Sequence, residues 1–333
     1  MAASMGLTVL TGAAVPAQAS ADLFSREVAY VANGDSGTVS VIGTRTNEII
    51  ENIPVGKGPF RMALTPNHAR MYITDQYVTD RAVDPGNVSV LDTATNKIIK
   101  TIPVSGKPQG VAISPDGTRA YVATFNDNKV SVIDTRTNTV TTTIPVGNHP
   151  VEVMITPDGS RVYTTNLFGN SVSVINTRTN AVDTVAVGRM PVGLAVTRRG
   201  DHAYVTSLLD NKVSVIDTTT NTVVAAIPTG TKPVGVTISP RGDRAYVTNV
   251  LDDTVSVIDT RTNTATGITI PVSDSPVNVA FARGGARAFV TSWYSDTQNN
   301  GTVAVIDTRT NKVMKTIPLG VRPEGVVIFN RPR

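Results

Sequence analysis

The sequence predicts an all-β protein built as a seven-bladed β-propeller, and three repeated markers carry this prediction. The first is the string D/N-T-x-T-N, which occurs six times after a degenerate first copy, GTRTN. The final Asn residues of successive copies are 49, 42, 42, 41, 42 and 48 residues apart. The second is a proline that opens a short apolar run, and the third is an aromatic residue in contexts such as AYVTN. Each marker occurs seven times, so the chain repeats one unit.

Residues 108–147 illustrate the elements of one unit. Four apolar runs, GVAI, AYVA, VSVI and VTTTIPV, are separated by SPDG, FNDN and DTRTN. Each run is short, rich in β-branched residues and bounded by turn-forming residues, which predicts a strand. No window keeps a helical period, so helical repeats of similar length are excluded. Four antiparallel strands per repeat of this length are typical of a propeller blade.

The phase of the repeat predicts how the ring closes. The chain opens on a second strand, EVAYVAN, and ends on a first strand, EGVVIFN, at residues 324–330. The C-terminal strand therefore completes the blade begun by residues 26–56, which removes free sheet edges. Residues 22–333 then form one propeller domain. We number blades one to seven by the prolines that open their first strands: Pro59, Pro108, Pro150, Pro191, Pro233, Pro276 and Pro323.

Composition excludes several classes of function. With no Cys, the chain has no disulfide framework, thiolate zinc site, iron–sulfur site or cysteine nucleophile. Its three histidines, His68, His149 and His202, are far apart in sequence, which disfavours a multi-histidine metal site. The net charge of +4 is too small to indicate nucleic acid binding. No apolar run is long enough for a transmembrane anchor, and we expect a monomer without a cofactor or a metal.

Residues 1–21 form a small, apolar and uncharged segment. Within it, Ala17-Gln18-Ala19 matches the small-x-small pattern of a signal-peptide cleavage site. The basic start of a signal peptide is missing, since the first basic residue is Arg26. The segment is therefore either the remnant of a signal peptide or a flexible tail. The apolar run and the cleavage pattern favour the first alternative, a protein secreted by bacterial export.

The repeats resemble the YVTN family of β-propeller proteins. The YVTN core in AYVTN, the IPVG end and the SPDG turn carry the resemblance, which extends over residues 26–330. It implies a seven-bladed fold and fits an exported protein. It does not specify function, because such propellers occur in surface-layer proteins, in enzyme subunits and in many exported proteins.

The two faces of the predicted propeller differ in how much the blades vary. If the first strands line the central channel, the fourth-to-first and second-to-third connections lie on one face, the top. The SPDG and DTRTN turns lie on the opposite face, the bottom, and vary little between blades. Arg136, Arg178 and Arg261 follow an Asp or Asn in these turns, which favours solvated turns over a polyanion-binding ring.

The top face departs from the repeat in blades one, three and six. Two residues after the marker proline, four blades carry Gly, whereas these three carry Arg61, Glu152 and Asn278. Blades one and six also have long second-to-third loops, at residues 74–87 and 292–302. These departures predict a binding site for a small anionic ligand or a protein partner at the channel mouth. Its candidate residues are Arg61, Tyr77, Asn278, Trp293, Tyr294, Arg322 and Glu324.

An enzyme acting at the same face is the alternative. His149 and Glu152 could form a general acid/base pair for a lyase, an isomerase or a lactonase-like hydrolase on a small molecule. Other propeller enzymes of these kinds share no motif that aligns with this sequence. A calcium site from Glu152, Asn278 and Glu324 is disfavoured because it has only three dispersed ligands. Binding is the favoured function, since no complete catalytic constellation is visible.

Overall fold

The computed structural model describes residues 27–77, 86–294 and 300–332, and we give its strands blade by blade. Blade one consists of β4 (Lys57–Leu64), β5 (Arg70–Tyr77), β6 (Asn87–Asp92) and β7 (Lys97–Pro103). Blade two consists of β8 (Pro108–Ile113), β9 (Arg119–Thr124), β10 (Lys129–Asp134) and β11 (Thr139–Pro145). Blade three consists of β12 (Pro150–Ile155), β13 (Arg161–Asn166), β14 (Ser171–Asn176) and β15 (Val182–Ala186).

The remaining four blades follow the same pattern. Blade four consists of β16 (Pro191–Val196), β17 (His202–Ser207), β18 (Lys212–Asp217) and β19 (Thr222–Pro228). Blade five consists of β20 (Pro233–Ile238), β21 (Arg244–Asn249), β22 (Thr254–Asp259) and β23 (Thr264–Pro271). Blade six consists of β24 (Pro276–Phe281), β25 (Arg287–Ser292), β26 (Thr302–Asp307) and β27 (Lys312–Pro318). Blade seven consists of β28 (Pro323–Asn330), β1 (Glu27–Asn33), β2 (Thr38–Gly43) and β3 (Glu48–Pro54).

These strands form seven sheets of four antiparallel strands, which confirms the predicted fold class. The one helical element among the described residues is the short 3-10 turn Phe125–Asp127. The first strands of neighbouring blades contact one another around the axis. In the closing sheet β28 pairs with β1, so that Val28 faces Phe329 and Tyr30 faces Val327. The predicted closure by the C-terminal strand is therefore confirmed.

A tyrosine or phenylalanine in each second strand packs the interface between neighbouring blades. All seven are buried in the structure. In five blades the phenol oxygen donates a hydrogen bond to the Asn that ends the D/N-T-x-T-N turn of the next blade. These pairs are Tyr30–Asn96, Tyr72–Asn138, Tyr163–Asn221, Tyr204–Asn263 and Tyr246–Asn311. The turn motif is thus also an inter-blade contact.

Backbone geometry explains the composition of the bottom turns. The Asn that ends each turn has φ between 54° and 60°, a left-handed conformation that Asn tolerates better than most residues. The Asp that opens the turn accepts backbone hydrogen bonds, as Asp134 does from the N–H groups of Arg136 and Thr137 at 2.8 and 2.9 Å. The following Thr reaches the adjacent hairpin, as Thr177 does by donating to the Gly159 carbonyl. These residues are therefore required by the turn itself.

On the top face, the Thr of the YVTN motif fixes the first strands. In blade three, the Thr165 hydroxyl accepts a hydrogen bond from the Glu152 N–H at 3.0 Å and donates to the Val192 carbonyl of blade four at 2.9 Å. In blade one, the Thr74 hydroxyl accepts from the Arg61 N–H at 3.0 Å. These hydrogen bonds thus hold the backbones of Arg61 and Glu152 in place, independently of the contacts that their side chains make.

Candidate functional site

Glycines next to the variant positions make room for the candidate side chains at the channel mouth. A Cβ atom added to Gly110 of blade two would lie 2.8 Å from the Glu152 Oε1 atom. A Cβ atom added to Gly325 of blade seven would lie 3.3 Å from the Arg61 Cα atom. The glycines of the repeat therefore leave the space in which Arg61 and Glu152 meet across an intervening blade.

Arg61 is the centre of a buried ion-pair chain. It is 7% exposed, and its Nε atom donates to Glu152 Oε2 at 2.9 Å. Its Nη1 atom lies 4.0 Å from Glu324 Oε2. Residues predicted from blades one, three and seven thus come together, because all three side chains extend from first strands around the axis. Asn278 also lies on a first strand, and within the described ranges its side chain makes no polar contact that defines a role.

Glu324 carries this chain outward to the top surface. Its Oε1 atom lies 3.0 Å from Arg322 Nε, and Arg322 Nη1 lies 3.6 Å from Asp35 Oδ1. The Arg322 guanidinium also stands 5.5 Å from the centre of the Trp293 ring. Glu324 is 2% exposed, and burial raises the pKa of its carboxyl, although Arg61 and Arg322 oppose that shift. Two guanidiniums thus face three carboxylates.

Two buried donors at this site form no hydrogen bond of good geometry among the described residues. They are the Nη1 atom of Arg61 and the indole Nε1 atom of Trp293. Both groups lie close enough to Glu324 to lower the pKa of its carboxyl. Unpaired buried donors are costly, so the site is suited to receive an acceptor oxygen.

His149 and Glu152, the proposed acid/base pair, contact different partners. The His149 ring packs edge-on against the rings of Phe125 and Phe168, with centroids 4.4 and 4.9 Å away, and its Nδ1 atom lies 2.6 Å from Asn148 Oδ1. The Glu152 carboxylate instead accepts from Arg61. The two side chains thus have different partners, although His149 and Glu152 are close in sequence.

Part of the predicted site falls outside the described residues. The backbone of Tyr77 pairs with Lys57 at the end of β5, and its side chain is not described. Residues 78–85 and 295–299 of the two long loops are also outside the described ranges. Tyr294 is described and is exposed on the top face.

The structure also presents a set of exposed top-face residues that we call the apolar arc, and the sequence analysis named one of them, Tyr294, but missed the other three. Its members are Phe168, Leu209, Leu251 and Tyr294, with exposed fractions of 52%, 44%, 56% and 47%. Each lies two residues after the end of a second strand, in blades three, four, five and six. The signal was present in the sequence, since an apolar residue at one fixed loop position in four consecutive blades is not required by the fold.

Comparisons with known proteins identify a family and a fold. A family model described as Cytochrome D1 heme domain matches residues 11–332. A hydrazine synthase chain of Kuenenia stuttgartiensis superposes with a TM-score of 0.70 at 17% identity, over 82% of this chain and 95% of that one. A functionally unknown protein from Desulfotomaculum acetoxidans superposes with a TM-score of 0.76 at 18% identity, over 92% and 99%. No curated protein matches the sequence.

Proteins with this domain are often periplasmic. Within the described ranges, no helix has the length and hydrophobicity that crossing a membrane requires.

The histidines of this chain do not favour binding of the haem that the family description implies. Haem iron needs an axial ligand such as His, Cys, Met or Tyr. His68 and His202 flank bottom turns, and His149 packs between two phenylalanines. The guanidiniums at the mouth, which could hold haem carboxylates, already pair with Asp35, Glu152 and Glu324. The described residues also contain no group of three metal-ligating side chains.

Proposed function

The chain belongs to the Cytochrome D1 heme domain family, and on that premise we propose that it is an exported propeller that binds a protein partner with its top face. The apolar arc of blades three to six carries this proposal. The assignment to the YVTN family, which rests on the motifs AYVTN and IPVG, is part of the same proposal, and so is the export of the protein.

The apolar arc has the character of a protein interface. Apolar side chains exposed side by side on consecutive blades mark interaction sites, whereas single exposed apolar residues do not. Polar groups lie beside Leu209 in blade four: Arg189 Nε lies 2.6 Å from Asp210 Oδ1, and Lys212 Nζ lies 3.5 Å from Asp210 Oδ2. An apolar centre with a polar rim is the usual anatomy of a protein–protein interface.

A binding role is also favoured over catalysis by the contacts of the proposed acid/base pair. A general acid and base must reach the same substrate atoms. His149 packs with Phe125 and Phe168, and this aromatic cluster adjoins the apolar arc. The three side chains therefore support an extended docking surface better than a catalytic pair.

Capture of the partner tests the proposal. The wild-type protein, immobilised and mixed with envelope extract, should retain a protein that the double variant Leu209→Ser/Leu251→Ser does not retain. Val224→Ser is the matched control, because Val224 on the outer strand β19 is 53% exposed, close to the 56% of Leu251. Equal recovery by all three proteins would contradict the proposal.

A small ligand at the channel mouth is a second candidate, favoured by the unpaired donors of Arg61 and Trp293. A ligand oxygen could accept from both, and the three carboxylates nearby favour a neutral or singly charged group over a strong anion. Trp293 is the only tryptophan in the sequence, so its fluorescence reports directly on this site. Glycerol and glycerate, one neutral and one anionic, should shift its emission in the wild type and not in Arg61→Lys. No shift with either compound would exclude this candidate.

A further inference from the structure

A groove on the bottom face is lined by several arginines. It lies between blades five and six and encloses a cavity of ≈ 550 Å³. Four arginines line it: Arg241, Arg244, Arg287 and Arg309. We propose that this groove, the basic groove, binds a phosphate-bearing ligand, independently of the top face.

The carboxylates that line the basic groove are engaged in their own turns. Asp243 Oδ1 accepts from the Ser239 hydroxyl at 2.8 Å. Asp307 Oδ1 accepts from the backbone N–H groups of Arg309 and Thr310 at 2.8 and 3.1 Å. Two such carboxylates against four guanidiniums leave the groove positively charged.

The guanidiniums keep donors for a ligand. Arg244 uses its Nη1 atom on the Thr308 carbonyl at 3.4 Å, and Arg287 uses Nη1 on the Thr44 carbonyl. The Arg309 side chain is 88% exposed, with its Nη2 atom 4.0 Å from Asp307 Oδ2. A guanidinium has five N–H donors, so each of these arginines retains several. Phosphate oxygens match that planar fork in pairs.

The groove between blades one and two is less basic, since it is lined by Arg70, Arg136 and Asp116. In the turn SPDG of blade two, Asp116 takes the position that Arg241 takes in the turn SPRG of blade five. Blade four also carries an arginine at this position, Arg199 in the turn TRRG. The difference in charge between these two grooves thus includes a charge reversal at one turn position, where the fold accepts either residue.

One aromatic side chain forms part of the floor of the basic groove. Phe281 is half-buried, lines the cavity and packs against the fully buried Tyr246, with ring centroids 4.9 Å apart. A ligand with a phosphate and a less polar portion therefore fits better than a simple ion. A phosphorylated small molecule and a polyphosphate chain both carry the phosphate oxygens that the arginines would bind.

Calorimetric titration tests the proposal, with inorganic phosphate, pyrophosphate and phenyl phosphate as free ligands and polyphosphate as the polymer. We expect saturable binding at an ionic strength of about 0.15 M, the physiological range, with phenyl phosphate at least as tight as inorganic phosphate. Arg241→Asp restores the SPDG turn, so it should fold normally and weaken binding at least ~10-fold, the loss of one charge-assisted contact. Arg136→Ala, in the groove between blades one and two, is the matched control and should change affinity less than about twofold.

The outcomes separate cleanly. If a polyphosphate chain binds more tightly than the three free ligands, the ligand of the groove is a polymer. If polyphosphate and the free ligands bind equally tightly, the ligand is a small molecule. The absence of saturable binding to all probes would overturn the proposal. So would unchanged affinity in Arg241→Asp, or an equal loss in Arg136→Ala.

Discussion

The bottom and top faces of this propeller are built from the same repeat but are subject to different constraints. On the bottom face, each turn needs a left-handed Asn and a Thr that reaches the neighbouring hairpin, and most turns also need an Asp acceptor, as Asn138, Thr135 and Asp134 illustrate. On the top face, the Thr of the YVTN motif fixes the backbone, and the residues beside it are free to vary. Variation where the backbone does not demand a residue is therefore the better guide to function.

Arginines on the two faces also differ in how deeply their side chains are buried. The Arg61 side chain is 8% exposed among carboxylates at the mouth, whereas the Arg309 side chain on the bottom is 88% exposed. A buried ion pair is costly to break from one side, because the remaining charge keeps its desolvation penalty. An exposed pair contributes little, because water replaces the lost partner.

Arg61→Ala should have the largest effect on stability. It leaves Glu324 buried and Glu152 without its guanidinium, so we expect a loss of about 3–5 kcal/mol in the free energy of unfolding. Urea denaturation measures this loss. Arg309→Ala should leave the urea midpoint unchanged, and Arg61→Met/Glu152→Gln/Glu324→Gln, which also neutralises both carboxylates, should recover most of the stability. Equal midpoints for Arg61→Ala and Arg309→Ala would contradict the contrast.

Asp75→Asn should have the next largest effect, and it depends on pH. Asp75 replaces the Asn that blades five and seven carry at this position, Asn249 and Asn33, which donate to Ser256 and Ser40. Burial raises the pKa of the Asp75 carboxyl from 3.8 to about 7, and the Ser89 hydroxyl opposes that shift. The folded protein therefore binds an extra proton between pH 4 and pH 7, roughly the two pKa values.

The sign of the Asp75 effect follows from that extra proton. The free energy of unfolding falls as the pH rises from about 4 to about 7, and it is lowest above the pKa that the Asp75 carboxyl has in the folded protein. The amide introduced by Asp75→Asn carries no charge, so the variant should gain roughly 4 kcal/mol at pH 8 and little at pH 4. Urea midpoints measured at both pH values check this. A gain that is equal at both values would contradict the assigned pKa.

Phe289→Tyr should have the smallest effect, a gain of about 1 kcal/mol. Phe289 is the one phenylalanine at the inter-blade position, and the Oδ1 atom of Asn47 in the next blade is buried without a partner in the described structure. A phenol would supply the missing donor. The reverse change, Tyr246→Phe, removes the 2.8 Å hydrogen bond to Asn311 and should cost a similar amount. A loss of stability in Phe289→Tyr would show that the site cannot accept the added oxygen.

The fold could be read from the sequence because each repeated residue serves a local backbone requirement. Arg61 and Glu152, which replace the glycine of the repeat, could also be singled out from the sequence because both depart from that requirement. In the structure their side chains contact each other. The partners of individual side chains could not be predicted. His149 turns to Phe125 and Phe168, and Arg322 stands over Trp293, because these contacts depend on how three blades pack around the axis.

The most direct test of the account compares the affinity of the captured partner for two double variants, one on each face. Leu209→Ser/Leu251→Ser alters the apolar arc, and Arg136→Ala/Arg178→Ala alters the bottom turns. The account predicts that the first variant weakens binding at least ~30-fold, as expected when a central apolar contact is lost, and that the second stays within about twofold of wild type. Loss of binding in the bottom variant with full affinity in the top variant would contradict it.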